Sequence, residues 1–128
     1  VRLLFDTQLW IWLVEGSPKL SAEARKTFAD DNNTIVWSVV SLWEVAIKTA
    51  LGRQGLSVGP DELLTYLRVG NFEELPVLAE HVLPLMHLAH NHADPFDRLL
   101  VAQATAEGMT LLTADRTLAR YGAVVRVV

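Results

Sequence analysis

The chain has 128 residues, the length of one ordinary domain, and 51% of them are apolar, enough to bury a core and to exclude a disordered polymer. It has no cysteine, which excludes a disulfide framework or a thiolate metal site and fits a reducing cytoplasm. The net charge of −4 argues against a protein that grips nucleic acid by bulk charge, and it is compatible with acids gathered at one site that binds cations.

The opening Val1-Arg2-Leu3-Leu4-Phe5 is too short for a secretory apolar region and meets Asp6 at once; no apolar run approaches the length that spans a bilayer. Neither a leader nor a membrane segment is expected, and a single domain is expected over 1–128. Residues 3–5 read as a short strand that stops at Asp6. Residues 8–14, with Leu9, Trp10, Ile11, Trp12 and Leu13, predict a mostly buried helix, broken by Ser17-Pro18. Ser21 is the expected N-cap of a second helix to about residue 29, with Glu23 in its first turn. The β-branched and aromatic run at 34–37 predicts a strand. Residues 41–51 predict a helix on which Trp43, Ala46, Ile47, Ala50 and Leu51 form one apolar stripe, ended by Gly52 and Gly55.

Residues 60–69 predict another helix, 72–76 a weak strand, and 78–90 a helix interrupted at Pro84. Residues 95–107 predict a nearly all-apolar helix, opened by Asp94 as N-cap and Pro95 at the first helical position and closed by Gly108. A strand at 110–113, a short helix at 116–121 and a strand at 124–128 complete the chain. Short apolar strands alternating with helices predict an α/β domain whose mainly parallel sheet, of four to five strands, is covered on both faces.

In an open parallel sheet, sites form beyond the carboxyl ends of the strands. Asp6 follows the first strand, and Asp115 follows the strand at 110–113 after one residue. Asp97 lies in the first turn of the helix at 95–107, and Glu44 in the first or second turn of the helix after the second strand. Four carboxylates from distant stretches are thus directed toward one edge. Crowding raises the pKa of some of them, and a divalent cation cancels the repulsion; hard oxygen donors suit Mg²⁺ or Mn²⁺. Phosphodiester hydrolysis by metal-activated water explains such a group. Each acid also has a local structural role open to it. Asp6 and Asp115 can act as N-caps, Asp97 complements a helix dipole, Ser41-x-x-Glu44 matches a capping box, and Glu44 with Lys48 makes an i, i+4 pair. Spacing alone leaves both readings open.

These residues resemble the PIN domain, and more narrowly the VapC-type toxins of toxin–antitoxin pairs. Leu4-Phe5-Asp6-Thr7 is similar to the opening strand with its first catalytic Asp, and Ser41-Leu42-Trp43-Glu44-Val45-Ala46-Ile47-Lys48 to the Glu-bearing helix. The most specific block runs from Asp94-Pro95-Phe96-Asp97 to Ala104, and Leu112-Thr113-Ala114-Asp115 looks like the closing acidic motif. The resemblance implies a three-layer α/β/α fold and a Mg²⁺- or Mn²⁺-dependent endoribonuclease with Asp6, Glu44, Asp97 and Asp115 as the catalytic and metal-holding acids. It also implies a homodimer and a cognate VapB-type antitoxin that points a basic side chain at the carboxylates. Asp94 matches an extra acid, for which the N-cap is the first reading. The chain departs from the pattern at 85–93, which carries His87, His90 and His92; a polar helix end is preferred there to a transition-metal site, since no matching carboxylate or Cys stands at zinc-motif spacing.

On the nuclease reading, Thr7 and Thr113 fix carboxylate geometry, and Lys48, Arg98 and Arg116 are candidates to hold RNA phosphates locally. Strand-end capping is the rival role for the threonines, and a solvated surface for the three bases. The alternative function is a non-catalytic PIN-fold module whose acids grip an antitoxin-like partner, with Trp10, Trp12 and Trp43 lining a groove; core packing is the plainer role for the tryptophans. An aspartyl-phosphate enzyme ranks last, because Asp6-Thr7-Gln8 lacks a second Asp two residues on, and no P-loop is present.

Overall fold

Five parallel strands line up in the order β3-β2-β1-β4-β5. They are β1 (Arg2–Phe5), β2 (Thr34–Ser38), β3 (Glu73–Leu75), β4 (Thr110–Thr113) and β5 (Val125–Val127). Leu3 pairs with Ile35 on one side of β1, and Leu4 with Leu111 on the other. The helices are α1 (Thr7–Glu15), α2 (Ala22–Ala29), α3 (Val39–Ala50), α4 (Pro60–Val69), α5 (Ala79–Val82) and α6 (Pro95–Glu107); 3₁₀ helices cover Leu83–His87 and Arg116–Tyr121. This is a computed structural model describing residues 1–52, 55–88 and 94–128.

Strand periodicity sorts the core into two halves. Leu3, Phe5, Ile35, Trp37 and Leu112 face α1, α2 and α4, where Leu9, Trp10, Ala24, Leu63 and Leu67 meet them. Leu4, Val36 and Leu111 face the opposite way, onto Leu100, Val101 and Ala104 of α6 and Leu118 of the final 3₁₀ helix. The α/β/α layering implied by the resemblance is therefore present. The β1–β4 contact is the topological switch: the chain moves outward from β1 to β3, then returns to lay β4 against the other side of β1.

Several boundaries follow local chemistry. Pro95–Glu107 and Pro60–Val69 begin at a proline on the first helical turn, and Gly108 closes α6 at φ 66°. Three expectations are corrected. The helix expected over 41–51 starts at Val39, because the Ser38 hydroxyl caps it by accepting from the Val40 amide at 3.0 Å; Ser41 is therefore inside the helix and makes no capping box with Glu44. The apolar stripe of that helix faces outward: Trp43, Ile47 and Leu51 are exposed, while Val40, Ser41, Glu44 and Val45 are buried. Beyond Val82 the continuous helix expected over 78–90 gives way to the 3₁₀ turn at Leu83–His87, where Pro84 stands on the first turn. His90 and His92 lie outside the described residues, and His87 is exposed.

A buried polar chain crosses the second core half. The Ser38 hydroxyl donates to Gln103 Oε1, and Gln103 Nε2 donates to the Pro76 carbonyl at 3.2 Å and lies 3.3 Å from His81 Nδ1. His81 Nδ1 accepts from the Leu78 amide at 3.0 Å, so Nε2 carries the ring proton and donates to Glu107 at 2.9 Å. Ser38, Gln103 and His81 are all fully buried. This chain ties the cap of α3 to α6 beneath the sheet edge. Gln103→Leu strands the Ser38 hydroxyl and the Pro76 carbonyl, and is expected to lower the unfolding free energy by about 2–3 kcal/mol in urea denaturation; a loss below about 0.5 kcal/mol contradicts the linkage.

Candidate acidic active site

Parallel topology puts the N-termini of α1, α3, α6 and the last 3₁₀ helix on one edge of the sheet, and the acids sit at or near those ends. Asp6 leaves β1 and caps α1, its Oδ1 accepting from the Leu9 amide at 2.9 Å. Asp94 caps α6, accepting from the Phe96 and Asp97 amides at 2.9 and 3.3 Å. Asp115 caps the 3₁₀ helix through the Thr117 amide and hydroxyl, at 2.9 and 2.7 Å. Asp97 stands in the first turn of α6. Glu44 is in the second turn of α3 and makes no cap; Lys48 Nζ approaches its Oε2 at 2.5 Å.

Asp6, Thr7, Glu44, Lys48, Asp94, Asp97 and Asp115 line one cleft of about 350 Å³, with Gln8, Ile11, Trp12, Leu56 and Ala114. Thr113 stands beneath it: its hydroxyl donates to Asp6 Oδ2 and accepts from the Asp115 amide, joining β4 to β1. Thr7 donates to the Ser41 hydroxyl at 2.9 Å, joining α1 to α3. Arg98 and Arg116 lie outside the lining. The Arg98 guanidinium is turned to the Tyr121 hydroxyl and the Leu85 carbonyl at 3.2 and 3.1 Å, and Arg116 is exposed. Trp10 is core and Trp12 flanks the cleft, whereas Trp43 packs edge-on against Phe96 at 4.8 Å on the outer face. The apolar wall of Trp12 and Leu56 had no signal in the sequence pattern, because its two residues come from segments that meet through tertiary packing.

Electrostatics set this cleft apart from a row of helix caps. Asp6 is 5% exposed, and burial is the main force lifting its pKa from 3.8 to about 7; Asp97 and Glu44 push the same way, while the bonds from Thr113 and Leu9 pull it down. Glu44 Oε1 is buried and finds no hydrogen-bond partner among the described residues. The donors are all hard oxygens, the type that Mg²⁺ and Mn²⁺ prefer, and an orphaned carboxylate oxygen is what a bound cation would satisfy. Among the described residues, no three His, Cys, Asp or Glu side chains already stand close enough to share one ion, so a common ion requires carboxylate rotation within the cleft.

A PIN domain model matches residues 3–124, and the chain belongs to the PIN domain family. Among solved structures it is similar to VapBC2 from Rickettsia felis bound to a promoter DNA fragment, at 17% identity and TM-score 0.71, covering 100% of this chain and 98% of that one. It is also similar to a toxin–antitoxin complex from Klebsiella pneumoniae, at 18% identity and TM-score 0.67, with 98% and 96% covered. DNA-bound VapBC from Salmonella typhimurium matches at 15% identity and TM-score 0.68, with 100% and 97% covered. No curated protein matches the chain. No helix among the described residues is long and apolar enough to cross a membrane.

Asp6 makes the stability of the metal-free protein depend on pH. With its pKa raised by folding, the native state keeps a proton between about pH 4 and pH 7 that the unfolded chain has released, so stability falls as pH rises through that window and levels off above it. Asp6→Asn cannot ionise. In denaturation series with EDTA, the unfolding free energy of Asp6→Asn relative to wild type should rise from pH 4 to pH 7, by at most about 1.4 kcal/mol per pH unit. A difference independent of pH contradicts the buried-acid account.

Proposed function

We propose that the chain is a VapC-type toxin: an endoribonuclease that cuts RNA phosphodiesters with Mg²⁺ or Mn²⁺ held by Asp6, Glu44, Asp97 and Asp115. The observation that carries this reading is the unpartnered, buried Glu44 Oε1 in the same cleft as an Asp6 whose ionisation is opposed by its acidic neighbours. Capping explains Asp94, one oxygen of Asp6 and the Oδ1 of Asp115; it does not explain why Glu44, which caps nothing, is buried beside them.

A bound Mg²⁺ or Mn²⁺ lowers the pKa of a coordinated water and polarises the phosphoryl oxygen. Around it, the chain's residues divide the work. Asp6, braced by Leu9 and Thr113, and Asp115, whose amide rests on Thr113, present oxygens from adjacent strand ends. Asp97 supplies a third carboxylate from the first turn of α6, with Asp94 fixing that turn as its cap. Glu44 orients the attacking water or adds a ligand through Oε1. Thr7 braces α3 against α1 through Ser41. The half-buried Trp12 and Leu56 wall off part of the cleft and limit water there, which strengthens each charge interaction. Lys48 is the phosphate-binding base that the cleft itself supplies; Arg98 and Arg116 serve, if at all, farther along an RNA strand.

The exposed Trp43, Ile47 and Leu51 share α3 with Glu44 and Lys48. That continuity of apolar surface and acidic cleft supports a VapB-type antitoxin lying along α3 with a basic side chain reaching the carboxylates. A homodimer and a cytoplasmic setting complete the proposal.

Incubation of total RNA with the protein and Mg²⁺ or Mn²⁺ is expected to give discrete cuts bearing 5′-phosphates, abolished by EDTA. Asp97→Asn should lower the rate at least about 100-fold with its melting temperature nearly unchanged. Cleavage that persists in EDTA, or 2′,3′-cyclic phosphate ends, sinks the metal-water mechanism. An Asp97→Asn protein that loses fold and activity together favours a purely structural acid.

A further inference from the structure

Among the described residues that line the cleft, Lys48 is the single base against five carboxylates, Asp6, Glu44, Asp94, Asp97 and Asp115. Its ammonium occupies one Glu44 oxygen, Oε2 at 2.5 Å, while Oε1 stays buried without a partner. The Glu44 side chain is 8% exposed and that of Lys48 is 39% exposed. The carboxylate therefore has nowhere else to go, whereas the ammonium has a path to solvent. Lys48 also sits in the last turn of α3, where the helix dipole favours a cation, one turn beyond the acid it neutralises.

We propose that Lys48 is the resident counter-ion of this cleft: it neutralises Glu44 while no metal is bound, competes with the divalent ion for that carboxylate, and once released turns its ammonium to an RNA phosphate. The inference rests on the reading of the cleft as a metal-dependent nuclease site. Its physical basis is that a buried carboxylate left unpaired is strongly disfavoured, so the metal-free protein needs some cation on Glu44. A divalent ion binding several carboxylates at once displaces a single ammonium held by one. Lysine suits the exchange because its point charge on a flexible stem accepts either partner without fixed geometry, where an arginine fork would hold the carboxylate by two bonds. The consequence is an order of assembly. The phosphate-binding charge stays sequestered until the metal is in place, so RNA binds more tightly to the metal-loaded cleft than metal charge alone dictates.

The test is calorimetric titration of the whole protein with Mn²⁺ for wild type, Lys48→Met and Lys48→Gln, followed by titration of the Mn²⁺-loaded forms with a non-cleavable 2′-O-methyl RNA oligonucleotide. Removing a unit charge from a divalent ion at a separation of about 6 Å, screened as in water, corresponds to a gain of about tenfold in affinity. Both neutral variants are expected to bind Mn²⁺ about tenfold more tightly and the RNA several-fold more weakly, and Lys48→Arg should restore RNA binding. Unchanged or weaker Mn²⁺ binding in the neutral variants, with wild type binding normally, overturns the counter-ion role and leaves the nuclease reading standing. No saturable Mn²⁺ binding by wild type overturns both. Tighter Mn²⁺ binding with unchanged RNA affinity overturns the transfer of Lys48 to the phosphate.

Discussion

The burial of Asp6 beside two other acids is the constraint on which the rest of this structure turns. A carboxylate 5% exposed at the end of the central strand, with Asp97 and Glu44 raising its proton affinity, is an arrangement a fold selected for stability alone would avoid. Thr113 and the Leu9 amide lower the cost without removing it, since the pKa still stands near neutrality. Lys48 relieves Glu44 on one oxygen and leaves the other open. The cleft is in this sense under-neutralised, and that residual negative field is the property a divalent cation would use.

The same constraint explains why the supporting structure is built as it is. Strand order β3-β2-β1-β4-β5 places β1 and β4 side by side at the switch point, so the residues following them, Asp6 and Asp115, are neighbours by topology. Helix N-termini gathered on that edge contribute partial positive charge to acids that would otherwise repel. The helices that bring Glu44 and Asp97 are held to each other below the edge by the buried Ser38–Gln103–His81–Glu107 chain. Capping and convergence are thus one arrangement, since each cap directs its carboxylate toward the cleft that the others line.

Much of this was legible in the sequence where local chemistry decides structure. Asp94-Pro95 and Gly108 fixed both ends of α6, Pro60 opened α4, and an apolar triplet meeting Asp6 marked the end of β1. The acids were legible as a set because each stands next to a strand end or a helix start. Where tertiary packing decides, the pattern ran out. The Ser41-x-x-Glu44 spacing suggested a cap, but Ser38, bonded to Gln103 sixty-five positions away, starts the helix earlier. The stripe of Trp43, Ile47 and Leu51 has core-like periodicity yet faces outward, since periodicity identifies a face without saying what covers it. The Trp12–Leu56 wall and the His81 relay join residues whose sequence separation carries no signal.

The most direct measurement of the central claim is an anomalous difference map from crystals equilibrated with Mn²⁺. The account predicts a peak inside the cleft within about 2.5 Å of carboxylate oxygens from Asp6, Asp97 and Asp115, directly or through one water, with Glu44 Oε1 turned toward it and the Lys48 ammonium moved off Glu44. A saturating Mn²⁺ concentration that leaves the cleft without density, with Glu44 still paired to Lys48 and each aspartate held by its own helix, would contradict it.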